Sequence, residues 1–534
     1  MTKILLINPS YQPHWSLYEP TSLLYLSSSL KKNNISSRVV DINIYTNHSI
    51  KEILTHAGIE YVDFVGITAI TRQAPESYKI GNTIRENWPD KKIIYGGVHP
   101  TFMPQEPFYK GSADYVIAGE GEESLPALIK TIKSGKDNEN ISGIYYKNGD
   151  DIQNTKEHEL IKNLDTISFP DYSQVDLNKY NTNIHVPGYT GKTINMMTSR
   201  GCTESCYYCS SPALYRKQVR YRSAENIADE IEMLIKRYAI TNIHFADDNF
   251  LLDKKRIERL CVLIEKKNLK FNRICLTRST SIVEHKDILP LLRKSGCVGM
   301  EFGVESGDVN VFECTNKNNK IYEIIEANTL LKENDIYPMY LLMSYSLGEK
   351  ITTPRKTIEL YYRLKGYKYI KDLPLEDITI QANLAGHLAR TSPGSVFYEI
   401  ANKKGKILAD DWSQHCEEEL GFLPNEFLDD VPIIQKQTSK NEFLAYFTTY
   451  KNNVQLYINQ NFYITRPIVK KFFHGSIDEL VKYMYLVYTT INSNDDVQTL
   501  ANALGGDEKE LLTKVAVSLS LLSIFGFITG KNHR

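Results

Sequence analysis

At 534 residues the chain is too long for one ordinary hydrophobic core, and about three domains of roughly 150 residues are expected. Its 42% hydrophobic and 24% charged residues are those of a soluble globular protein. Lys+Arg 63 against Asp+Glu 64 leaves a formal net charge of -1, which gives no electrostatic reason to expect nucleic acid or an anionic membrane as the main partner.

The first apolar run, Ile4-Leu5-Leu6-Ile7, is stopped by Asn8-Pro9, too short for a signal-peptide core and without a small-residue cleavage site after it. The late apolar stretch Val515–Ile528 is broken by Ser518, Ser520 and Ser523 and falls short of the roughly 20 residues of a membrane span. A cytoplasmic location with no membrane span is therefore expected. Disulfides are not expected there, and Cys261, Cys275, Cys297, Cys314 and Cys416 read as scattered buried thiols.

Short apolar runs alternate with helical periods through the first part of the chain. Strands are predicted at Ile4–Asn8, Arg38–Ile42, Phe64–Thr68, Lys92–Tyr95 and Tyr115–Ala118. Helices are predicted at Ser22–Lys32, Ile50–His56, Pro75–Asn87 and Glu123–Ser134. This order indicates an α/β unit, residues 1–140, with a doubly wound, Rossmann-like parallel sheet whose ligand sits at the strand C-termini. Residues 141–190 are polar and turn-rich and read as a linker, with a hairpin suggested around Asn148-Gly149.

A second alternation starts at Ile194–Thr198 and continues with strands at Asn242–Ala246, Arg273–Thr277, Gly299–Gly303, Tyr340–Tyr345 and Ile378–Ala382. Helices at Ala224–Arg237, Lys254–Lys267, Lys286–Lys294, Lys320–Asn334 and Pro354–Tyr367 separate them. Six βα units over residues 191–400 suit a partial, open (β/α)6 relative of the eight-fold barrel, with its chemistry at the strand C-termini. Residues 401–534 are mainly helical and read as a domain covering the substrate site. Their winged-helix-like end, Asp496–Thr529, leaves a DNA-binding regulator as a rival reading.

Directly after the first strand of this second unit comes Cys202-Thr-Glu-Ser-Cys206-Tyr-Tyr-Cys209. Thiolates are the usual ligands of iron–sulfur clusters, and one loop with this spacing wraps a cubane and ligates three of its irons. No fourth cysteine is near, which leaves one iron for another ligand. Zinc is the alternative, but its sites pair such a loop with a second Cys pair or with histidines, and no second pair follows.

The loop resembles that of the radical S-adenosylmethionine superfamily. The resemblance implies a 4Fe-4S cluster whose open iron is chelated by S-adenosylmethionine. One electron then cleaves the sulfonium, and the resulting 5′-deoxyadenosyl radical abstracts a hydrogen atom from the substrate. It further implies Tyr208 beside the adenine, Asp248 (or its neighbour Asp247) at the amino or ribose end, Arg278 on the methionine carboxylate and Glu305 on the same ligand. A reductant of flavodoxin or ferredoxin type is implied as a partner. Taken singly, each acidic residue is equally an ordinary helix cap or solvated loop charge.

In the first unit, Gly96-Gly97 and Gly119-Glu120-Gly121 end successive strands, where a tight turn is the ordinary reading. Together with the cysteine loop they resemble the cobalamin-binding domain of the class B radical S-adenosylmethionine methyltransferase branch, in which strand-end glycines admit the nucleotide tail of the corrinoid. On that resemblance Gly96, Gly97, His99, Gly119, Glu120 and Gly121 are cobalamin contacts. The first loop, Asn8-Pro-Ser-Tyr-Gln-Pro13, lacks the cobalt-ligating Asp-x-His-x-x-Gly motif of classical cobalamin domains, as other members of this branch also do; the nearby His14 has the wrong spacing. Thr71, Arg72 and Gln73 are then the candidates to cover the lower cobalt face.

The reading is a cobalamin-dependent methyltransferase acting on an unactivated carbon of a small molecule or natural-product precursor, roofed by the segment after Pro393. Tyr340, Tyr345, Gln381, Asn383 and His387 are candidates to touch the substrate, with packing as the plainer role. A cobalamin-dependent cyclase or rearrangement enzyme without methyl transfer is the second reading, and a corrinoid-sensing DNA-binding regulator the third.

Overall fold

The structure, a computed structural model, describes residues 3–10, 17–45, 47–136, 140–180, 183–344, 346–348, 353–366, 387–388 and 392–403. His14, Tyr345, Gln381, Asn383, Cys416, the predicted strand at 378–382 and nearly all of the expected C-terminal domain lie outside these residues.

The first unit contains β1 (Lys3–Asn8), β2 (Ser36–Asp41), β3 (Phe64–Thr68), β4 (Lys92–Gly96) and β5 (Tyr115–Ile117), followed by β6 (Ile144–Asn148) and β7 (Asp151–Asn154). The sheet order is β2-β1-β3-β4-β5-β6-β7, parallel up to β5 and antiparallel beyond it. The hairpin read as part of a linker therefore extends the sheet edge. Its Asn148-Gly149 turn reverses the chain within hydrogen-bonding reach of β5, and pairing there satisfies backbone groups that an open edge would leave exposed. Helices cover both faces and make two buried clusters. Ile4, Leu6, Leu24 and Leu128 share one, while Leu5, Ile7, Leu54 and Ile84 share the other. Successive residues of β1 thus serve opposite faces, as a strand's period of two requires.

The second unit contains β8 (Thr193–Met196), β9 (Ser199–Arg200), β10 (Arg220–Tyr221), β11 (Asn242–Phe245), β12 (Asn272–Thr277), β13 (Cys297–Glu305), β14 (Tyr337–Ser344) and β15 (His387–Leu388). Its six-stranded sheet runs β15-β14-β13-β12-β11-β8, all pairs parallel, with β8 at one edge. The order follows the chain, as singly wound βα units do, and the sheet is an open partial barrel rather than a closed one. Amphipathic helices Ala224–Tyr238, Lys254–Lys266 and Ile321–Glu333 cover its outside. The first two start at Ser223 and Asp253, whose side chains accept from the backbone N–H three residues on. Among the described residues no helix is long and apolar enough to cross a membrane.

Candidate active site

The cysteine loop leaves β8 through β9. Buried Asp247, just past β11, accepts from Thr198 N at 2.6 Å, from Ser199 N at 3.0 Å and from the Thr198 hydroxyl. Asp248 accepts from Gly201 N at 3.0 Å, one residue before Cys202. The two aspartates thus divide the work. Asp247 is spent on anchoring the loop's base, and Asp248 reaches its rim. On the far side, Tyr207 N donates to Thr315 O at 2.9 Å and Asn316 Nδ2 donates to Ser205 O at 2.9 Å, which pins the middle of the loop.

Cys202 and Cys206 are buried and Cys209 is partly so. Burial pushes the Cys209 thiol up to about 12, and the negative charges of Asp248, Cys206 and Cys202 add to it. Cys202 is raised too, again first by burial. Two of the three soft donors, Cys202 and Cys209, resist ionisation in this setting, which fits a centre whose own positive charge stabilises thiolates, as iron does. Among the described residues no three His, Cys, Asp or Glu side chains converge on the position of one metal ion. A cubane asks for less convergence, because each thiolate meets its own iron.

Glu305 ends β13 in the left-handed region, φ 57°, beside a register shift in the β13–β14 pairing. Such backbone strain in a bulky residue is held by its surroundings. Its Oε1 accepts from the Tyr208 hydroxyl at 3.0 Å and forms an ion pair with Lys317, whose Nζ is also 3.1 Å from the Tyr208 hydroxyl. Gly303 makes room for this trio, since a Cβ there would stand 2.3 Å from both Glu305 Oε1 and Lys317 Nζ. Buried Arg278 pairs with Glu204 inside the cysteine loop and donates to Asn318 O at 3.3 Å, while its Nε has no hydrogen-bond partner among the described residues. It keeps an unspent donor for a carboxylate. Tyr208, Asp248, Arg278 and Glu305 are thus gathered around one loop. Lys317 belongs with them and was not singled out in the sequence, where it stands unmarked in a polar turn.

Helix Val396–Lys403 lies over this loop. Phe397 N donates to Tyr207 O at 2.9 Å, and the Phe397 ring meets Tyr208 edge-on at 6.3 Å. The segment after Pro393 does therefore reach the site. Tyr340 faces the other way, donating to Asn328 Oδ1 at 2.6 Å within the outer helical layer.

In the first unit a cavity of about 240 Å³ opens at the C-terminal ends of the strands, and Gly96, Gly97, Gly119, Glu120 and Gly121 all line it. Most of its wall is apolar, and Met197, Arg200, Leu214 and Tyr215 of the second unit close one side. A Cβ at Gly96 would meet nothing closer than Ile117 O at 3.7 Å. Among the described residues no contact demands glycine there, whereas a ligand filling the cavity would. Gly97, at φ 99°, is fixed by the fold itself, because its Cβ would come within 2.8 Å of Ala69 O.

The other candidates are distributed differently. The Glu120 carboxylate is held by Arg200 at 2.6 Å, Arg220 at 2.6 Å and Ile161 N at 2.8 Å. Burial opposes its ionisation, but Arg220 and Arg200 outweigh that and hold its carboxyl below the usual range. Buried Gln73 donates to Asn8 Oδ1 and Pro9 O, and fully buried His99 lies 3.1 Å from the Tyr78 hydroxyl and 3.4 Å from Thr71 Oγ1. Gln73 and His99 brace the turn Thr71–Gln73, where the Thr71 and Arg72 side chains are half-buried.

One buried acid stands apart from these sites. Glu19 accepts from Asn195 N at 2.6 Å on the open edge of β8, and burial raises its carboxyl to about 7 from 4.5. A carboxyl raised on folding leaves stability intact below the unfolded value and weakens it as pH climbs through the folded one. Glu19→Gln is therefore expected to raise the unfolding temperature more at about pH 8 than at about pH 6. Equal shifts at the two pH values in a thermal melt would show that Glu19 is not a buried acid.

Residues 16–129 match the family model of the B12 binding domain, and residues 196–361 match that of the radical SAM superfamily. An uncharacterized methyltransferase of Pyrococcus horikoshii is 27% identical over 406 residues, covering 74% of this chain and 81% of that protein. The anaerobic magnesium-protoporphyrin IX monomethyl ester cyclase of Rubrivivax gelatinosus is 28% identical over 355 residues, 62% of this chain and 61% of that protein. Among solved structures, the radical S-adenosylmethionine methyltransferase TsrM of Kitasatospora setae, with cobalamin and a [4Fe-4S] cluster bound, superposes with TM-score 0.60 at 19% identity, covering 76% of each chain. The cobalamin-dependent S-adenosylmethionine radical enzyme OxsB superposes with TM-score 0.61 at 15% identity over 99% of this chain and 80% of that one. The two family matches fall on the two sheets, one on the glycine-lined cavity and the other on the cysteine loop, and the chain is a radical S-adenosylmethionine enzyme of the cobalamin-dependent kind, with a 4Fe-4S cluster, S-adenosylmethionine and cobalamin as its cofactors.

Proposed function

We propose that the chain is a methyltransferase that alkylates an unactivated carbon of a small molecule or natural-product precursor. The observation that carries this is the shared wall. The glycine-lined cavity is closed by Met197, Arg200 and Tyr215, which flank the cysteine loop, so a corrinoid tail held there lies beside the cluster site. When bound, cobalamin supplies a transferable methyl group, and the cluster with S-adenosylmethionine supplies the means to open a C–H bond. The chain's own residues bind and align these groups and keep water out.

Cys202, Cys206 and Cys209 hold the cluster, while Tyr208, Asp248, Arg278, Glu305 and Lys317 contact S-adenosylmethionine. Gly96, Gly119 and Gly121 would admit the corrinoid tail, and Thr71 and Arg72 would contact the corrinoid. A flavodoxin- or ferredoxin-type protein delivers the electron. The first unit extends through the hairpin to Asn154, and residues 191–400 make up the radical domain.

Gly303→Ala tests the nucleoside site. The new methyl displaces the Glu305–Lys317 pair, at an overpacking cost of about 1–3 kcal/mol. Weaker S-adenosylmethionine binding in a calorimetric titration is expected, and parental affinity would remove Glu305 from that site.

The cyclase relatives support a second reading, rearrangement without methyl transfer. The two separate when the protein is given methyl-deuterated S-adenosylmethionine, a strong reductant and a deproteinised cell extract. Methyl transfer yields a product heavier by one labelled methyl, with both S-adenosylhomocysteine and 5′-deoxyadenosine. A product without the label, and no S-adenosylhomocysteine, would favour the cyclase.

A further inference from the structure

The strands of the partial barrel turn one face to the helices and the other to the lumen. Ile194, Met196, Ile243, Phe245, Met300 and Phe302 belong to the helix-packed core. By alternation Asn195, His244 and Glu301 face inward. The foot of the lumen is plugged by a small apolar group, Ile184, Val186 and Ile274 with Tyr337 and Met339. Above the plug and below the cysteine loop the wall turns polar. Asn195 and His244 are register partners on β8 and β11, and His244 Nε2 lies 3.3 Å from Glu301 Oε2.

Glu19 completes this group from the first unit. Its Oε1 accepts from the backbone N–H of Asn195, the register partner of His244, at 2.6 Å. Only 4% of Glu19 is exposed, and its Oε2 has no hydrogen-bond partner among the described residues. The same holds for His244 Nε2, which is near Glu301 but out of line for a hydrogen bond. Buried polar atoms left unmatched are costly, and native structures match them with something. Neither the cluster nor the nucleoside site uses these groups.

We propose that Asn195, His244, Glu301 and Glu19 form a substrate subsite that receives a hydrogen-bond-donating group, a hydroxyl or an ammonium. The carboxylate of Glu301 accepts, the open Oε2 of Glu19 accepts once that carboxyl has given up its proton, and the imidazole takes whichever role the donor leaves. The apolar plug beneath suits the carbon frame next to that group. The inference rests on the proposed small-molecule reaction and adds the chemical class of its substrate. A substrate that was hydrocarbon throughout would leave all these groups unmet.

The test uses the reconstituted full chain and three probes of one shape: benzylamine, benzyl alcohol and ethylbenzene. In ligand-observed NMR titrations the amine or the alcohol is expected to bind at least about tenfold more tightly than the hydrocarbon. Glu301→Gln and His244→Gln, each verified by its thermal melt, are expected to erase most of that preference. Should one variant fail to fold, the other carries the comparison. Equal affinity for the three probes overturns the proposal, as does a preference that survives in a folded variant. No turnover is required, so these titrations stay readable whether or not the product assay finds methyl transfer.

Discussion

Anaerobically reconstituted protein carrying Cys206→Ala is expected to hold no iron–sulfur cluster and to break no sulfonium bond. On the proposed ligation each of the three thiolates has one iron to hold, and losing one leaves two irons open in a cluster that already has one unfilled position. Such a cluster is lost during reconstitution, and with it the path of the electron. The fold is expected to survive. Cys206 is buried, but it sits in a loop held by Asp247, Asp248, Thr315 and Asn316 rather than by the thiol itself. Cys261→Ala is the matching control. That thiol is fully buried, next to Ser295 Oγ and the Arg273 guanidinium, and its loss is expected to affect stability while leaving the cluster intact. Iron content and the visible absorption of the cluster read out both variants. Equal iron in Cys206→Ala and the parent would break the assignment, and so would a parent that carries zinc in its place.

The sequence made this loop readable because its information is local: three cysteines within eight positions at the end of an apolar strand. Parallel strands buried on both faces are equally plain, and Phe64–Thr68 and Ile50–His56 fall where the apolar pattern puts them. What was not readable depends on pairings between distant residues. Lys317 reaches Glu305 and Tyr208 only once the turn after helix Val309–Cys314 closes, with Lys317 N donating to Phe312 O. The two adjacent aspartates were indistinguishable until the fold gave one to Thr198 and the other to Gly201. The hairpin of Ile144–Asn148 and Asp151–Asn154 looks like a linker because it carries no strong apolar alternation; pairing with β5 and the burial of Ile144 fix its place. Glu120 reads as a cofactor contact from its glycine neighbours, and no local pattern reveals that two arginines, 80 and 100 residues away, occupy it.

That occupation sets the second large effect. Glu120→Ala is expected to destabilise the protein by about 3–5 kcal/mol and to weaken cobalamin binding at once. Arg200 and Arg220 are register partners on the β9–β10 ribbon, so two guanidinium groups stand side by side, each with only 8% of its side chain exposed. Glu120 bridges them through both oxygens, and Glu122 holds only the other end of Arg200. Without Glu120, Arg220 keeps the carbonyl of Ile161 but no carboxylate, and the two buried charges repel. The same loop lines the cavity, and Arg200 lies two residues before Cys202, so the clasp ties the corrinoid wall to the cluster loop. A buried pair is little screened, and the loss should persist at high salt, unlike that of a surface ion pair. Pairing Glu120→Ala with Arg220→Leu should recover part of the loss, because the second change removes a charge the first leaves uncompensated. Thermal melts with and without hydroxocobalamin measure both effects. If Glu120→Ala melts with the parent and binds hydroxocobalamin as tightly, the clasp is a bystander, and the two units are aligned by apolar contact alone.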